Sequence, residues 1–307
     1  MSGAEICVGV DGGGTRSRAI ALDLDGRERG RAEGQHALVR DTTVQHAAAV
    51  VAKLVGDVAV AAGSSLPVTR LVAGLAGAGR PAVSAAVRAA IEPMGVAREV
   101  EVLSDAEVAF HDAFGTGSGI LLLGGTGSMA LGRSADGRTA RAGGWGDPLG
   151  DEGGGWALGM AALRVVARSA DGRAPATELT TRLLATLSLS DPSDLIRWTA
   201  GADKSEVAGL APLVLEAAES GDAVAAGLAD EATRELADTV EAVRRALEPW
   251  PEPPVVAAAG GLVGVGGPLR SRLERALEDT PVRVAPDMVL PVRGAARRAL
   301  EAVWHAS

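Results

Sequence analysis

The sequence predicts an α/β chain of two domains, on three observations. Short apolar strands alternate with segments of helical pattern. A strand, a Gly/Thr-rich turn, a strand, an Asp-Gly turn and a third strand open the chain, and the same series restarts at Gly119. A length of 307 residues suits two domains of ordinary size.

The elements follow in order. Ile6 to Val10 reads as the first strand, Arg18 to Asp23 as the second, and Arg27 to Ala32 as the third, after the turn at Asp25-Gly26. Thr42 or Thr43 is placed to cap a helix from Val44 to about Ala62, ended by Gly63. Val68 to Leu75 is a buried strand, Pro81 suits the first turn of a helix, and Glu99 to Leu103 is a strand ending at Ser104-Asp105. The second series runs through Gly119 to Leu123, Met129 to Gly132 and Arg138 to Ala142. Residues 155–247 are largely helical in pattern, and Pro251-Glu252-Pro253-Pro254 breaks the run. Val255 to Ala259 is a strand, a helix lies around Pro268 to Leu277, Val282 to Ala285 is a short strand, and Gly294 to Val303 is the last helix. The domain boundary falls near Gly115-Thr116-Gly117, so the domains are 1–115 and 116–290.

Composition excludes several classes. The chain is 47% hydrophobic and 22% charged, a globular balance with enough apolar residues for a core. Aromatics are 2% with no Tyr, so Ala, Val and Leu fill that core. The net charge of −9 gains no counterion release from nucleic acid and is repelled by anionic membranes; neither partner is expected. The single cysteine, Cys7, cannot form an internal disulfide or supply a zinc or iron–sulfur site alone, and in an apolar strand it reads as a buried, inert thiol. His36, His46, His111 and His305 show no ligand spacing. The N-terminus lacks a basic region followed by a long apolar one, and no apolar run reaches membrane-span length, so a soluble cytoplasmic protein is the expectation.

Asp11-Gly12-Gly13-Gly14-Thr15 is the first candidate site. Glycines let backbone N–H groups approach an anion closely. A Rossmann fingerprint needs a helix straight after its glycines, and a strand follows here. A P-loop needs Gly-Lys-Ser/Thr, and the only lysines, Lys53 and Lys204, do not follow a glycine. A strand–turn–strand phosphate clip remains, with Asp11 placed to hold Mg²⁺ directly or through water, against the plainer reading of a hairpin turn. Gly124-Gly125-Thr126-Gly127-Ser128 is a second such turn at the same place in the repeat, so two facing hairpins could grip one nucleotide. Ala259-Gly260-Gly261-Leu262 either lets a purine lie against backbone or is a tight strand–helix turn.

Together with Gly143-Gly144-Trp145-Gly146 and Gly150-Asp151-Glu152-Gly153, these motifs resemble the N-acetylglucosamine kinases of the BadF/BadG/BcrA/BcrD ATPase group, within the actin, hexokinase and Hsp70 superfamily. The resemblance covers essentially the whole chain. It implies two actin-like (ribonuclease H-like) domains around a nucleotide and sugar cleft, with a C-terminal helix, 291–307, completing the first domain. It implies ATP and Mg²⁺ as cofactors, an amino-sugar substrate phosphorylated on its 6-hydroxyl, and admits a homodimer.

Asp105 is the candidate base. It ends an apolar strand, where open α/β sheets place their crevice, and the resemblance puts the family's catalytic aspartate here. The alternative is that Asp105 caps the following helix, with Ser104 as a rival cap. The resemblance has Gly12, Gly13, Gly14 and Thr15 contact the phosphates, Thr126, Gly127 and Ser128 clamp them from the second domain, and Gly260 and Gly261 face the adenosine. Gly144, Trp145, Asp151 and Glu152 read as sugar-binding: a carboxylate accepts several hydroxyl hydrogen bonds, and an indole stacks on a sugar face. Glu152 could instead cap a helix, and Trp145 could pack its loop. Two departures widen the substrate to glucosamine or a muramic acid derivative. The segment from Gly34 to Thr42 lacks the Asn common in relatives, with Arg40 open to an acidic substituent, and Asp147 replaces a His or apolar residue. The dehydratase-activating ATPases of the same group need about four cluster thiolates, and zinc-containing glucokinases need a Cys cluster; one cysteine supplies neither. A non-catalytic sugar sensor is a further alternative.

Overall fold

A computed structural model describes residues 5–14, 16–40, 42–147 and 149–306. The chain divides into two compact units, Met1–Gly117 with Val289–Ser307, and Ser118–Met288.

In the first unit the strands are β1 (Ile6–Gly12), β2 (Ser17–Asp23), β3 (Glu28–Gly34), β4 (Val68–Leu75) and β5 (Ala97–Ser104). Its helices are α1 (Val44–Ala61), α2 (Pro81–Ile91) and α3 (Asp105–Phe114). The second unit adds β6 (Gly119–Gly124), β7 (Ser128–Arg133), β8 (Thr139–Gly143), β9 (Val255–Ala259) and β10 (Arg283–Val284). Its helices are α4 (Gly155–Ala170), α5 (Glu178–Leu187), α6 (Leu195–Gly201), α7 (Lys204–Ala208), α8 (Ala211–Glu219), α9 (Ala223–Ala246) and α10 (Arg270–Ala276). The last helix, α11 (Pro291–Ala306), belongs to the first unit.

The two sheets share one topology. Their orders are β3-β2-β1-β4-β5 and β8-β7-β6-β9-β10. In each, three strands form an antiparallel meander and the fourth and fifth join parallel to the first. This is the ribonuclease H-like arrangement of actin-like domains, and it makes the repeat seen in the turns a structural duplication. The predicted helical stretch after residue 155 resolves into α4 to α9, inserted between the third and fourth strands of the second copy.

Alternation along β1 sorts the first core. Ile6, Val8 and Val10 pack with α1, whereas Cys7 faces the layer that α3 and α11 provide. Both faces are covered, which is why β1 is apolar throughout. β3 is an outer strand with charged residues, Glu28, Arg29, Arg31 and Glu33, on an edge that could otherwise pair with another chain. In the second unit Ile120 and Leu122 of β6 and Val256 and Ala258 of β9 join one core with α4, α5, α8 and α9.

One expectation needs correction. By length and composition α1 is apolar enough to cross a bilayer, with a mean hydropathy of 1.4 over 18 residues. Its buried stripe of Ala47, Ala48, Val51, Leu54, Val55, Val58 and Ala59 is spent on the first core, as in the core helix of a globular domain. Thr43 stands at its N-cap without accepting a helix amide. Its hydroxyl instead accepts from the Arg40 N–H (2.8 Å) and donates to the Leu38 carbonyl (3.1 Å).

α11 is pressed onto its neighbours by glycines. A methyl at Gly9 would overlap the backbone of Ala296, and one at Gly294 would overlap the Val108 carbonyl of α3. Asp112, fully buried on α3, locks this contact. Its carboxylate accepts the Leu290 N–H (2.8 Å) and a two-point contact from Arg293 (2.6 and 2.7 Å). We predict that Asp112→Ala costs about 3 kcal/mol, because a guanidinium and a backbone amide lose their acceptor. The expected readout is a lowered denaturant midpoint.

Candidate active site

In the first unit the sheet register brings the candidates together. Asp11 pairs with Gly74 of β4, which pairs with Leu103 of β5, two residues before Asp105. The carboxylates of Asp11 and Asp105 thus arise at the carboxyl ends of strands separated by one strand, close enough for the charge on Asp105 to act on Asp11. Gly12 has no room for a side chain, since a methyl would meet Leu75 and Ala37. The Gly13 N–H donates to the Arg16 carbonyl (3.1 Å) and closes the turn. Gly14 has open space around it, so packing does not account for its being glycine. Thr15 lies outside the described residues.

The segment from Gly34 to Thr42 lies against this turn. The Ala37 N–H donates to the Gly13 carbonyl (3.2 Å), and the Val39 N–H to the Ala76 carbonyl (2.9 Å). Ser17, paired with Gly12, keeps a buried hydroxyl without a hydrogen-bond partner among the described residues.

Asp105 is not the helix cap. That place belongs to Ser104, whose hydroxyl accepts the Glu107 N–H (3.2 Å) while the Glu107 carboxylate accepts the Ser104 N–H (2.8 Å). Asp105 is left with the N–H of its neighbour Ala106 (3.0 Å). Burial raises its carboxyl above the ordinary range, against the pull of backbone hydrogen bonds. The Asp11 carboxyl is pushed up to about 6, by burial first and then by Asp105, with Arg18 and Arg16 opposing. Two half-buried hard oxygen donors, one raised by the charge of the other, are suited to a divalent cation such as Mg²⁺. No group of three or more His, Cys, Asp or Glu able to hold a metal occurs among the described residues, so any such ion would rely on bound phosphate oxygens for much of its shell.

In the second unit the turn from Gly125 to Ser128 is bolted to the segment from Asp151 to Trp156. The Gly155 N–H donates to the Gly125 carbonyl (2.8 Å) and the Trp156 N–H to the Thr126 carbonyl (2.9 Å). The Ser128 hydroxyl donates to the Glu152 carbonyl (2.5 Å), and the Ser128 N–H to Asp151 Oδ1 (3.3 Å). Gly154 permits this approach, since a methyl there would overlap Gly127. Gly154, not Glu152, occupies the N-cap of α4. The Glu152 side chain is exposed.

Asp151 is buried at 4% exposure and has φ of 67°, a left-handed conformation uncommon for a residue other than glycine. Lys204 pairs with it and with Asp147 (3.0 Å). Gly144 joins the group through its N–H to the Ser128 carbonyl (2.9 Å). Trp145 is 70% exposed, with the Arg141 guanidinium 6.0 Å from its ring centroid, so its indole is not spent on packing the loop. Gly260 touches the Gly124 carbonyl so closely that a methyl would overlap it, whereas Gly261 has open space.

Each unit therefore gathers its own share: Asp11, Gly12 to Gly14 and Asp105 in the first; Thr126, Gly127, Ser128, Gly144, Trp145, Asp151, Glu152, Gly260 and Gly261 in the second. Sequence reasoning missed Arg16, which directly follows the glycine motif, accepts the Gly13 N–H on its carbonyl and lowers the Asp11 carboxyl, and Lys204. The signal for Lys204 was its rarity, as one of two lysines in the chain.

A stability prediction follows from Asp11. A carboxyl whose pKa is higher folded than unfolded binds more protons in the native state between about 4 and 6. It costs nothing below pH 4, and its cost grows to a plateau above pH 6. Asp11→Asn should therefore stabilise the ligand-free protein at pH 8 by on the order of 2 kcal/mol, with the gain vanishing toward pH 4. Thermal unfolding across that range checks it; a gain independent of pH contradicts it.

Comparison with known proteins agrees with this geometry. The family model described as "BadF/BadG/BcrA/BcrD ATPase family" matches residues 8–296. An N-acetylmuramic acid/N-acetylglucosamine kinase of Clostridium acetobutylicum is 32% identical over 83% of this chain and 85% of its own. An N-acetyl-D-glucosamine kinase of Dictyostelium discoideum is 30% identical over 79% of this chain and 80% of its own. A solved structure from Chromobacterium violaceum, provisionally assigned as an N-acetylglucosamine kinase, superposes with a TM-score of 0.80 at 28% identity, covering 96% of this chain and 98% of that one. With a family model matching most of its length and relatives of this identity and coverage, the chain belongs to the BadF/BadG/BcrA/BcrD ATPase family.

Proposed function

We propose that this ATPase-family member is a sugar kinase that transfers the γ-phosphoryl group of ATP to an amino sugar, N-acetylglucosamine first, at its 6-hydroxyl. The observation that carries the reading is Asp105: a half-buried carboxyl at a strand end, relieved of capping by Ser104 and near enough for its charge to act on Asp11. The kinase names of the relatives support the substrate class.

In this reading Asp105 accepts the proton of the attacking hydroxyl. Its raised pKa, from burial, makes it a better base than an exposed aspartate. The amides around Gly13 and Gly14, with Thr15, meet the β- and γ-phosphates, and Thr126, Gly127 and Ser128 meet them from the second turn. Gly261, open to solvent, takes the adenosine side. Asp11 would help hold Mg²⁺, which would supply charge neutralisation on the phosphates when bound. Asp151 and Trp145 bind the sugar, one as acceptor and one as an apolar face, with Gly144 and Glu152 beside them. N-acetylmuramic acid is the second candidate substrate, favoured by the two activities named for the Clostridium relative.

An ADP-release assay with Mg²⁺-ATP and a panel of N-acetylglucosamine, glucosamine, N-acetylmuramic acid, N-acetylmannosamine and glucose tests this. The expected result is turnover on an amino sugar, with Asp105→Asn lowering kcat by about 10²–10⁴-fold and leaving thermal stability unchanged or raised, since a buried charge is removed. Tight ATP binding with no turnover on any sugar would favour a sensor instead.

A further inference from the structure

Lys204 occupies a rigid position. It opens α7, a short helix whose cap, Asp203, accepts the N–H groups of Ser205 (2.8 Å) and Glu206 (2.9 Å), while Glu206 returns its carboxylate to the Asp203 N–H (2.7 Å). The Val207 carbonyl rests on Gly159 of α4, where a methyl would overlap it. The helix cannot slide along α4 without opening that backbone contact. From this base the ammonium reaches two carboxylates, Asp151 and Asp147.

The two pairs are unequal. The Asp151 side chain is 6% exposed and that of Asp147 41%. A buried carboxylate depends on its cation, whereas an exposed pair contributes little. Asp151 has one oxygen on the Ser128 N–H and the other on Lys204, so its ring of partners is set by these two groups. Burial works against the Lys204 charge, but the two carboxylates outweigh it and raise its pKa. The turn around Thr126 does not need the lysine, since it is also held by the amides of Gly155 and Trp156 and by the Ser128 hydroxyl.

We propose that Lys204 is a positioning residue of the sugar site: it fixes the orientation of the Asp151 carboxylate, without itself supporting the nucleotide turn. The inference rests on the amino-sugar kinase reading. It separates sugar affinity from nucleotide affinity at one side chain, which a merely structural lysine would not do.

Steady-state kinetics of the full chain with Mg²⁺-ATP and the best amino sugar of the panel test it. Lys204→Met is expected to raise the sugar KM at least tenfold while the ATP KM moves less than threefold. Lys204→Arg should recover the sugar KM to within about fivefold of the parent, because a cation is restored. Asp147→Asn should change either KM less than threefold. Lys204→Met combined with Asp151→Asn should be no worse than Asp151→Asn alone, since the lysine acts through that carboxylate. Should Lys204→Met fail to fold, Lys204→Gln is held to the same thresholds. An active parent enzyme with an unchanged sugar KM in the lysine variant, or losses that multiply in the double variant, overturns the positioning role alone. A parent that turns over no amino sugar overturns the kinase reading on which it rests.

Discussion

Backbone-to-backbone contact at glycine is the constraint on which the rest depends. α11 lies on β1 because Gly9 has no side chain, and α4 begins against the second turn because Gly154 has none. Any Cβ at these places would overlap main-chain atoms, which cannot rotate away as a side chain can. The same contact sets Gly260 on Gly124 and Gly159 under α7. Each motif then adds a glycine that packing does not require: Gly14, Gly125 and Gly261 all have open space. One glycine closes the turn onto the fold and the next leaves backbone accessible. A phosphate clip needs both properties at once, and they explain why glycines come in clusters rather than singly.

Charge is handled in two opposite ways. Asp112 and Asp151 are buried with cations, Arg293 and Lys204, and each carboxylate accepts from two or more donors. Asp11 and Asp105 are half-buried without a paired cation of this kind, desolvation raises both, and the charge of Asp105 adds to the rise at Asp11. A fold selected for stability alone would pair these carboxylates or lose them. In the proposed kinase reading, a bound cation and a substrate hydroxyl would relieve their cost. That contrast separates aspartates held by a cation from those that are not more sharply than sequence position does.

Much of this was legible in the sequence, because the strands are apolar, short and punctuated by Gly and Asp-Gly. Val68–Leu75 and Val255–Ala259 have their predicted ends, and the repeated hairpin becomes two sheets of one order. The first strand extends past Val10 to Gly12 because Ser17 continues the pairing with β2, a long-range fact that local pattern does not carry. The last helix starts at Pro291, as the resemblance implied and three residues before the Gly294 that local pattern offered; Asp112, distant in sequence, organises its first turn through the Leu290 amide and Arg293. At the site, the rival cap roles of Ser104 and Asp105 are chemically equivalent on paper; the Glu107 carboxylate decides between them by completing the box with Ser104. Lys204 was invisible for a different reason. It lies 53 positions from Asp151, and the packing of α7 on α4 alone brings them together.

The duplication also shows where a repeated frame is free to diverge. The first copy crosses from its third to its fourth strand through one helix, α1, whereas the second does so through α4 to α9. Parallel strands demand a crossover but set only its minimum length. The longer crossover begins at Gly155, directly after Asp151 and Glu152, and carries Lys204 back to them. The added helices thus supply the residues that distinguish the second turn from the first: a carboxylate held on the turn by an amide, and a lysine holding the carboxylate. The first copy, with its short crossover, sets Asp11, Arg16 and the segment before α1 at its turn. A single ancestral clip could in this way acquire a second specificity without altering either sheet, because the new side chains enter at the carboxyl end of β6, where the frame already leaves backbone exposed.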